Sequence, residues 1–258
     1  MKISVHLFIF VVLSFPPVLI AESWQTKSTS THIPVIELFT AEGCGLCPAA
    51  DRWVEALPHR GWTDDKVIVL GFHVDYLDDK KNWVDKFASP IFTQRQRQLA
   101  RLNLFQTVYT PEFFISGESL HNWKQHGVEA LEFVSDFKSG ADITLEANQN
   151  AQQLSVKTSV STPAKDDQKD SQLYLAITED NVKSIIGGGD NRGATFNHQN
   201  IVRSWLGPLE LDDDGNSMVT TEITLDKHWK RNDLTLVAVV QNMDNGYVLQ
   251  GLALPLKD

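Results

Sequence analysis

The sequence predicts an α/β unit followed by an all-β unit of sandwich type. Up to about Lys138, apolar β-type runs alternate with stretches of helical spacing, the pattern of strands wrapped by helices. Beyond Ala141, short period-two runs follow one another with turn signals between them and no helical stretch. The texture changes at Lys138-Ser-Gly-Ala141, a short joint that contains glycine.

In chain order, Ile33 to Thr40 is apolar apart from Glu37 and its closing threonine, as expected for a strand buried on both sheet faces. Ala49, Ala50, Trp53, Val54 and Leu57 recur at helical spacing and predict a helix from Cys47 to Pro58. Val67 to Val74 is a second buried strand, followed by a polar, aromatic loop from Asp75 to Ala88. Ser89-Pro90 pairs an N-cap residue with proline at the first helical position, opening a helix that runs to about Leu102. Val108 to Gly117 reads as a third strand, and Val128, Leu131, Val134 and Phe137 predict a helix over 124–138. The second half offers eight strand runs: 143–147, 154–160, 173–178, 182–186, 196–206, 218–225, 234–240 and 247–254.

Of the 258 residues, 42% are hydrophobic and 22% charged, the balance of a globular protein with a real core. A formal net charge of -10 with no basic patch argues against nucleic acid or an anionic membrane surface as partner. Met1-Lys2, the apolar run Ile3 to Phe15, Pro16-Pro17 and Val18 to Ala21 have the layout of an export signal over 1–21. The apolar run falls short of the roughly 20 residues a spanning helix needs. No stable membrane insertion is therefore expected after cleavage, and the expected location is the periplasm or the outside of the cell. No cysteine closes the signal, so a lipoprotein is not expected, and residues 22–31 read as a flexible lead.

The only two cysteines, Cys44 and Cys47, lie between the first strand and the first helix. At a helix N-terminus, unpaired N–H groups and the positive end of the dipole favour thiolate over thiol. Cys44 is thus the expected attacking thiolate, and Cys47, one turn on, the resolving thiol. Arg52 is expected to lower the Cys44 pKa, with Glu42 and Asp51 opposing it. As a staple the pair is poor, because it closes almost no loop. Structural zinc wants four Cys or His ligands, and the chain has no second cysteine pair. Two thiolates can still carry a soft metal such as Cu(I). Disulfide exchange itself needs only the dithiol, so no cofactor is implied.

Two features raise the redox reading above the bare motif. Glu37 stands in an apolar strand seven positions before Cys44, either to take a proton from Cys47 or as a strand-end residue that reaches water. Thr110-Pro111 enters a β-run, and here the sequence resembles the thioredoxin superfamily. That resemblance implies a cis proline facing the Cys-x-x-Cys, with Thr110 and Pro111 as the platform for substrate backbone. It also refines the fold expectation to an α/β thioredoxin-like domain over 32–139 and a β-sandwich domain over 140–258.

Glu37-Leu-Phe-Thr40, Cys44-x-x-Cys-Pro-Ala-Ala-Asp51, His73-Val-Asp75-Tyr76, Asp85, Thr93-Gln-Arg95-Gln96 and Tyr109-Thr-Pro111 together resemble one family closely. It comprises secreted bacterial proteins catalogued as a domain of unknown function. In the second half the likeness extends to Gly189-Asp-Asn191-Arg-Gly193 and His198-Gln-Asn200-Ile-Val202-Arg203. Leu77, Lys80-Lys81-Asn82 and Glu112 depart from its pattern, at positions expected to line a substrate groove.

His73 and Asp75 share parity at the end of one strand, so both point to one face at the edge where α/β sites gather. There they tune the thiols or hydrogen-bond the loop, the latter being the commoner use of buried polar groups. Arg95 is expected to pair with Asp75 or Asp85 in bidentate geometry. Gly187-Gly-Gly-Asp-Asn191 lacks the Lys-Ser/Thr of a phosphate loop and reads as a turn. Asp212-Asp-Asp-Gly-Asn216 lacks the twelfth-position glutamate of a calcium loop and reads as a hairpin turn. His198, Asn200 and Arg203 stabilise the second unit or face the thiol edge.

The function these residues imply is an exported thiol–disulfide oxidoreductase acting on protein or small thiols and disulfides, with an unidentified redox partner. The competing expectation is a non-enzymatic exported binding module, its pair permanently oxidised or loading Cu(I).

Overall fold

The structure, a computed structural model, describes residues 22–78 and 82–257, so the expected export signal and Lys80-Lys81 lie outside the described residues. It is mostly β, with fourteen strands and four helices among the described residues. The first half holds β1 (Glu22–Lys27), β2 (Val35–Thr40), α1 (Cys47–Glu55), β3 (Ile68–His73), α2 (Pro90–Leu102), β4 (Glu112–Ile115), β5 (Glu118–Ser119) and α3 (Trp123–Ser135). The second holds β6 (Asp142–Asn150), β7 (Gln153–Ser161), α4 (Lys165–Gln168), β8 (Ser171–Glu179), β9 (Val182–Ile185), β10 (Thr195–His198), β11 (Ile201–Glu210), β12 (Asn216–Thr224), β13 (Leu234–Asn242) and β14 (Val248–Pro255).

The strands do not sort into the expected α/β thioredoxin-like domain and separate sandwich. Eight of them form one mixed sheet in the order β14-β13-β8-β11-β3-β2-β4-β5, which runs straight through the predicted boundary. The seam is the parallel pairing of Ile201 on β11 with Gly71 on β3. Gly71 N–H donates to the Asn200 carbonyl at 2.8 Å. A Cβ at position 71 would lie 3.1 Å from that oxygen, so glycine lets the two backbones meet. Local periodicity reports which segments are strands, not which strands share a sheet, and the expected fold class fails at that step.

Residues 22–31, expected to be flexible, supply strand β1, which pairs antiparallel with β6 at the edge of a four-stranded sheet, β1-β6-β7-β12. This sheet covers one face of the large sheet at its β8-β13-β14 end, where Ile143, Leu145, Val156, Leu175, Leu236 and Leu252 share one core. At the other end the same face is covered by α1 and α3, through Ile36, Leu38, Val54, Phe113 and Leu131. The opposite face packs on α2, with Phe39, Phe72, Phe92, Leu99, Tyr174 and Trp205 in a core that also contains both cysteines. The result is a three-layer body whose middle layer belongs to both halves.

The expected strand over 196–206 is broken. Gln199-Asn200, with Asn200 at φ 55°, separates β10 from β11, and β10 turns back to pair with β9 as a small separate sheet. The turn at 212–215 is tight but is not the expected hairpin: Asp212 Oδ1 accepts from the N–H groups of Asp214 (3.1 Å) and Asn216 (2.7 Å), and the chain passes from β11 in the large sheet to β12, which pairs with β7 in the other one.

Candidate functional site

Strand β2 delivers the chain to a tight turn at the sheet edge, closed by Cys44 N–H to the Ala41 carbonyl (3.1 Å) and Cys47 N–H to the Cys44 carbonyl (3.2 Å). Helix α1 starts at Cys47 with Pro48 in its first turn, where the missing N–H costs nothing. Both cysteines are free thiols, 7% and 1% exposed. Cys44 Sγ lies 3.7 Å from the Thr110 carbonyl oxygen, and the Thr110-Pro111 peptide is cis. The structure thus brings together Cys44, Cys47, Thr110 and Pro111, from two segments more than sixty residues apart.

The two thiols are electrostatically unequal. Hydrogen bonding from the Cys47 thiol, against the cost of burial and with help from Thr110 and the Leu46 and Cys47 N–H groups, brings the Cys44 pKa down to about 6. Burial, and then the neighbouring Cys44 thiolate, push the Cys47 thiol well up. The depression at Cys44 therefore comes first from its partner thiol rather than from Arg52.

Asp51, one turn after Cys47 on α1, is the carboxyl nearest in role to the dithiol. The Thr40 hydroxyl donates to its Oδ1 at 3.4 Å and is also placed to hydrogen-bond Cys47. Burial raises the Asp51 pKa to about 7, with His73 pulling the other way and Glu55 adding to the rise. A cavity of about 340 Å³ between α1 and β10 reaches Thr40, Asp51, His73 and His198 from outside. In the sequence Asp51 reads only as a charge near Cys44; its spacing of four from Cys47 on a helix was the signal for something closer.

Glu37 has a different partner from the one expected. Its two oxygens accept from Arg95 Nε (2.8 Å) and Nη2 (2.7 Å), a buried bidentate pair that leaves no part of the carboxylate at a strand end in water. Arg95 is not bound to Asp75 or Asp85. It also donates to Gln98 and Gln241, and its guanidinium lies against the stacked pair of rings Tyr174 and Trp205 (4.7 and 5.3 Å from their centres). Through Arg95, residues on β2, α2, β8, β11 and β13 share one charge.

His73 Nδ1 is 2.7 Å from Asp85 Oδ2. Burial works against the charged ring, but Asp85, Asp51 and Glu42 outweigh it and hold the His73 pKa above its usual value. Asp85 is itself held low, its burial offset by His73 and by the N–H groups of Glu42 and Phe87. Asp75 sits beyond β3 and exchanges hydrogen bonds with Thr93, so it anchors the start of α2 and is not beside the cysteines.

The second half reaches the thiols through the segment read as a plain turn. Asn191 Nδ2 donates to the carbonyls of both Glu42 and Cys44, at 2.8 Å each. A Cβ on Gly188 would meet the Asn82 carbonyl oxygen at 2.2 Å, and one on Gly189 the Gly43 Cα at 2.8 Å. The glycines are there for close approach as well as for turning. Below them, buried Glu42 accepts from Trp83 Nε1 (2.8 Å) and meets His198 Nε2 at 3.2 Å. Asn200 serves the seam at Gly71 and Arg203 pairs with Glu179, so only His198 of that trio faces the thiol edge.

On the open side a groove of about 370 Å³ runs between the Gly45 to Arg52 segment, Tyr109 to Pro111 and the start of α3. Gln96, fully buried, holds its floor by donating to the Tyr109 carbonyl (2.8 Å) and to Glu112 (2.7 Å). Burial raises the Glu112 pKa to about 7. Leu77, one of the departures, packs against the core that contains the cysteines and does not line this groove. Among the described residues no three His, Cys, Asp or Glu side chains are grouped to hold a metal ion.

A three-layer, β-rich body with a buried dithiol turn closed by a loop from its second half defines the class of protein. The chain belongs to the family described as protein of unknown function (DUF1223), whose profile matches residues 35–241. No curated protein matches it by sequence. Two solved structures resemble it. HBP35 of Porphyromonas gingivalis is 18% identical with a TM-score of 0.67, over 87% of this chain and 75% of that one. Protein AGR_C_4864 of Agrobacterium tumefaciens is 17% identical with a TM-score of 0.61, over 90% and 97%. At that identity the likeness concerns the fold.

Proposed function

We propose that the protein is an exported thiol–disulfide oxidoreductase. The observation that carries this is the asymmetry of the pair. Cys44 is a ready thiolate at neutral pH with its sulfur at the Thr110 carbonyl, while Cys47 beside it stays protonated and enclosed. Nucleophilic attack belongs to the first and resolution to the second. In this reading the Cys44 thiolate attacks a substrate disulfide and Cys47 then attacks the mixed disulfide. The Cys47 proton leaves through Thr40 to Asp51, whose pKa of about 7 suits a group that must both take and release it. Thr110 and Pro111 form the platform against which the substrate lies.

The deciding experiment is trapping. Cys47→Ser should accumulate mixed disulfides with exported thiol proteins, and Cys44→Ser should not. A Cys47→Ser protein that traps nothing, together with a wild-type pair that never exchanges with thiol buffers, would overturn the proposal.

A further inference from the structure

We infer that the groove beside the dithiol selects disulfides and thiols that carry carboxylates. The inference rests on the redox reading above and names the substrate class of that same site. The chain has 33 acidic residues against 23 basic ones, so a stretch of surface taken at random should be acidic. The groove is the reverse: Arg52 and Lys124 line it, with His121, and none of its lining residues is Asp or Glu.

The nearby carboxylates are turned to other tasks. Asp51 accepts from Thr40 and lines the cavity on the far side of α1; Glu55 lines that cavity too, together with Arg52, whose charge it partly offsets, so Lys124 is the stronger of the two cations toward the groove. Asp190 packs against Gly45 from the covering loop without lining the groove. The two cations flank an apolar bed: Leu46 is 72% exposed and Tyr109 42%, and the Lys124 ammonium lies 5.0 Å over the Trp123 ring. A disulfide whose carbon skeleton lies on Leu46 and Tyr109, with its sulfur at Cys44, extends its acid groups toward Arg52 and Lys124. Small dicarboxylate disulfides and acidic peptide disulfides share this chemistry.

The exchange balances as follows. The Cys44 thiolate bonds to one sulfur of R–S–S–R as the S–S bond breaks and RS⁻ leaves. Cys47, its proton passing to Asp51, bonds to the Cys44 sulfur and expels the second RS⁻. The dithiol loses two electrons and the substrate disulfide gains them; the released thiolates take protons from Asp51 and from water.

The test uses the reduced full chain with 3,3′-dithiodipropionate, neutral bis(2-hydroxyethyl) disulfide and cationic cystamine. Each rate is divided by that of a small monothiol with the same reagent. The dicarboxylate-to-cystamine ratio is expected to be roughly tenfold at low salt and to collapse in about 0.5 M salt. Lys124→Glu and Arg52→Glu should each lower it, a readout in which changes in thiolate fraction cancel. A ratio near one that neither salt nor Lys124→Glu moves overturns the charge preference and leaves the redox reading standing. If the neutral disulfide fails to oxidise the pair as well, the redox reading falls and takes this one with it. A parallel pair of acidic and basic peptide disulfides identifies the source: charge preference among the small reagents assigns small thiols, and preference confined to the peptides assigns acidic polypeptide.

Discussion

Asn191 and Cys44 are joined by a hydrogen bond from a side-chain amide to a backbone carbonyl, 2.8 Å long and spanning 147 positions of sequence. The same amide holds the Glu42 carbonyl, so one side chain from the second half sets the path of the turn that carries the thiols. Asn191→Ala is expected to cost about 1–3 kcal/mol, since two carbonyls lose their donor. It should also speed Cys44 alkylation at a pH where the thiolate is fully formed. Thermal unfolding and alkylation kinetics measure both, and an unchanged alkylation rate would show that the turn holds itself.

The inequality of the thiols gives a second expectation. Alkylation of the reduced protein should titrate with a midpoint near pH 6 for Cys44, with Cys47 unreactive until the protein unfolds. Because the folded-state value lies below the unfolded one of about 8.5, Cys44 ionisation adds stability to the reduced form as pH rises through this window. The gain is lost as pH falls through 6. A midpoint at or above 8.5 contradicts the arrangement.

Asp51 has the opposite sign. Its folded-state pKa is raised, so between about pH 4 and 7 the native state holds a proton the unfolded chain has released, and stability falls as pH rises. Asp51→Asn should therefore stabilise the protein at pH 8, by roughly 1–3 kcal/mol. The same change should slow resolution of a mixed disulfide on the order of 100-fold and remove the pH dependence near 7. Stabilisation without slowing would leave Asp51 a merely buried acid.

Arg95 is expected to govern the whole body. Arg95→Met leaves Glu37 buried and unpaired and should cost about 3–5 kcal/mol, whereas adding Glu37→Leu should recover much of it. Denaturant unfolding of both variants should remain one transition, because the pair links strands from both halves. Two separate transitions would contradict the shared sheet.

Much of the layout could be read before any coordinates. The strand-turn-helix around Cys44 and Cys47, the cap at Ser89-Pro90 and the apolar strand before His73 all announce themselves through local period and end signals. Glu37 could be read as a buried acid, but its partner lies 58 positions away and nothing local marks it. Asn191 was hidden for a related reason: a glycine run looks the same whether it turns freely or lets a backbone lie against another. The fold class is not legible in the same way, because hydrogen bonding across Gly71 and Asn200, which joins the strands of both halves in one sheet, has no trace in either segment's pattern.

That junction bears on modularity. Cutting the chain at the apparent joint near residue 140 would strip β11 from β3 and turn an interior strand into an open edge, its backbone groups free to template association with other chains. The first half is therefore not a cassette that evolution or the laboratory can move by itself. Inheritance of the dithiol is tied to inheritance of the strands that close the sheet behind it.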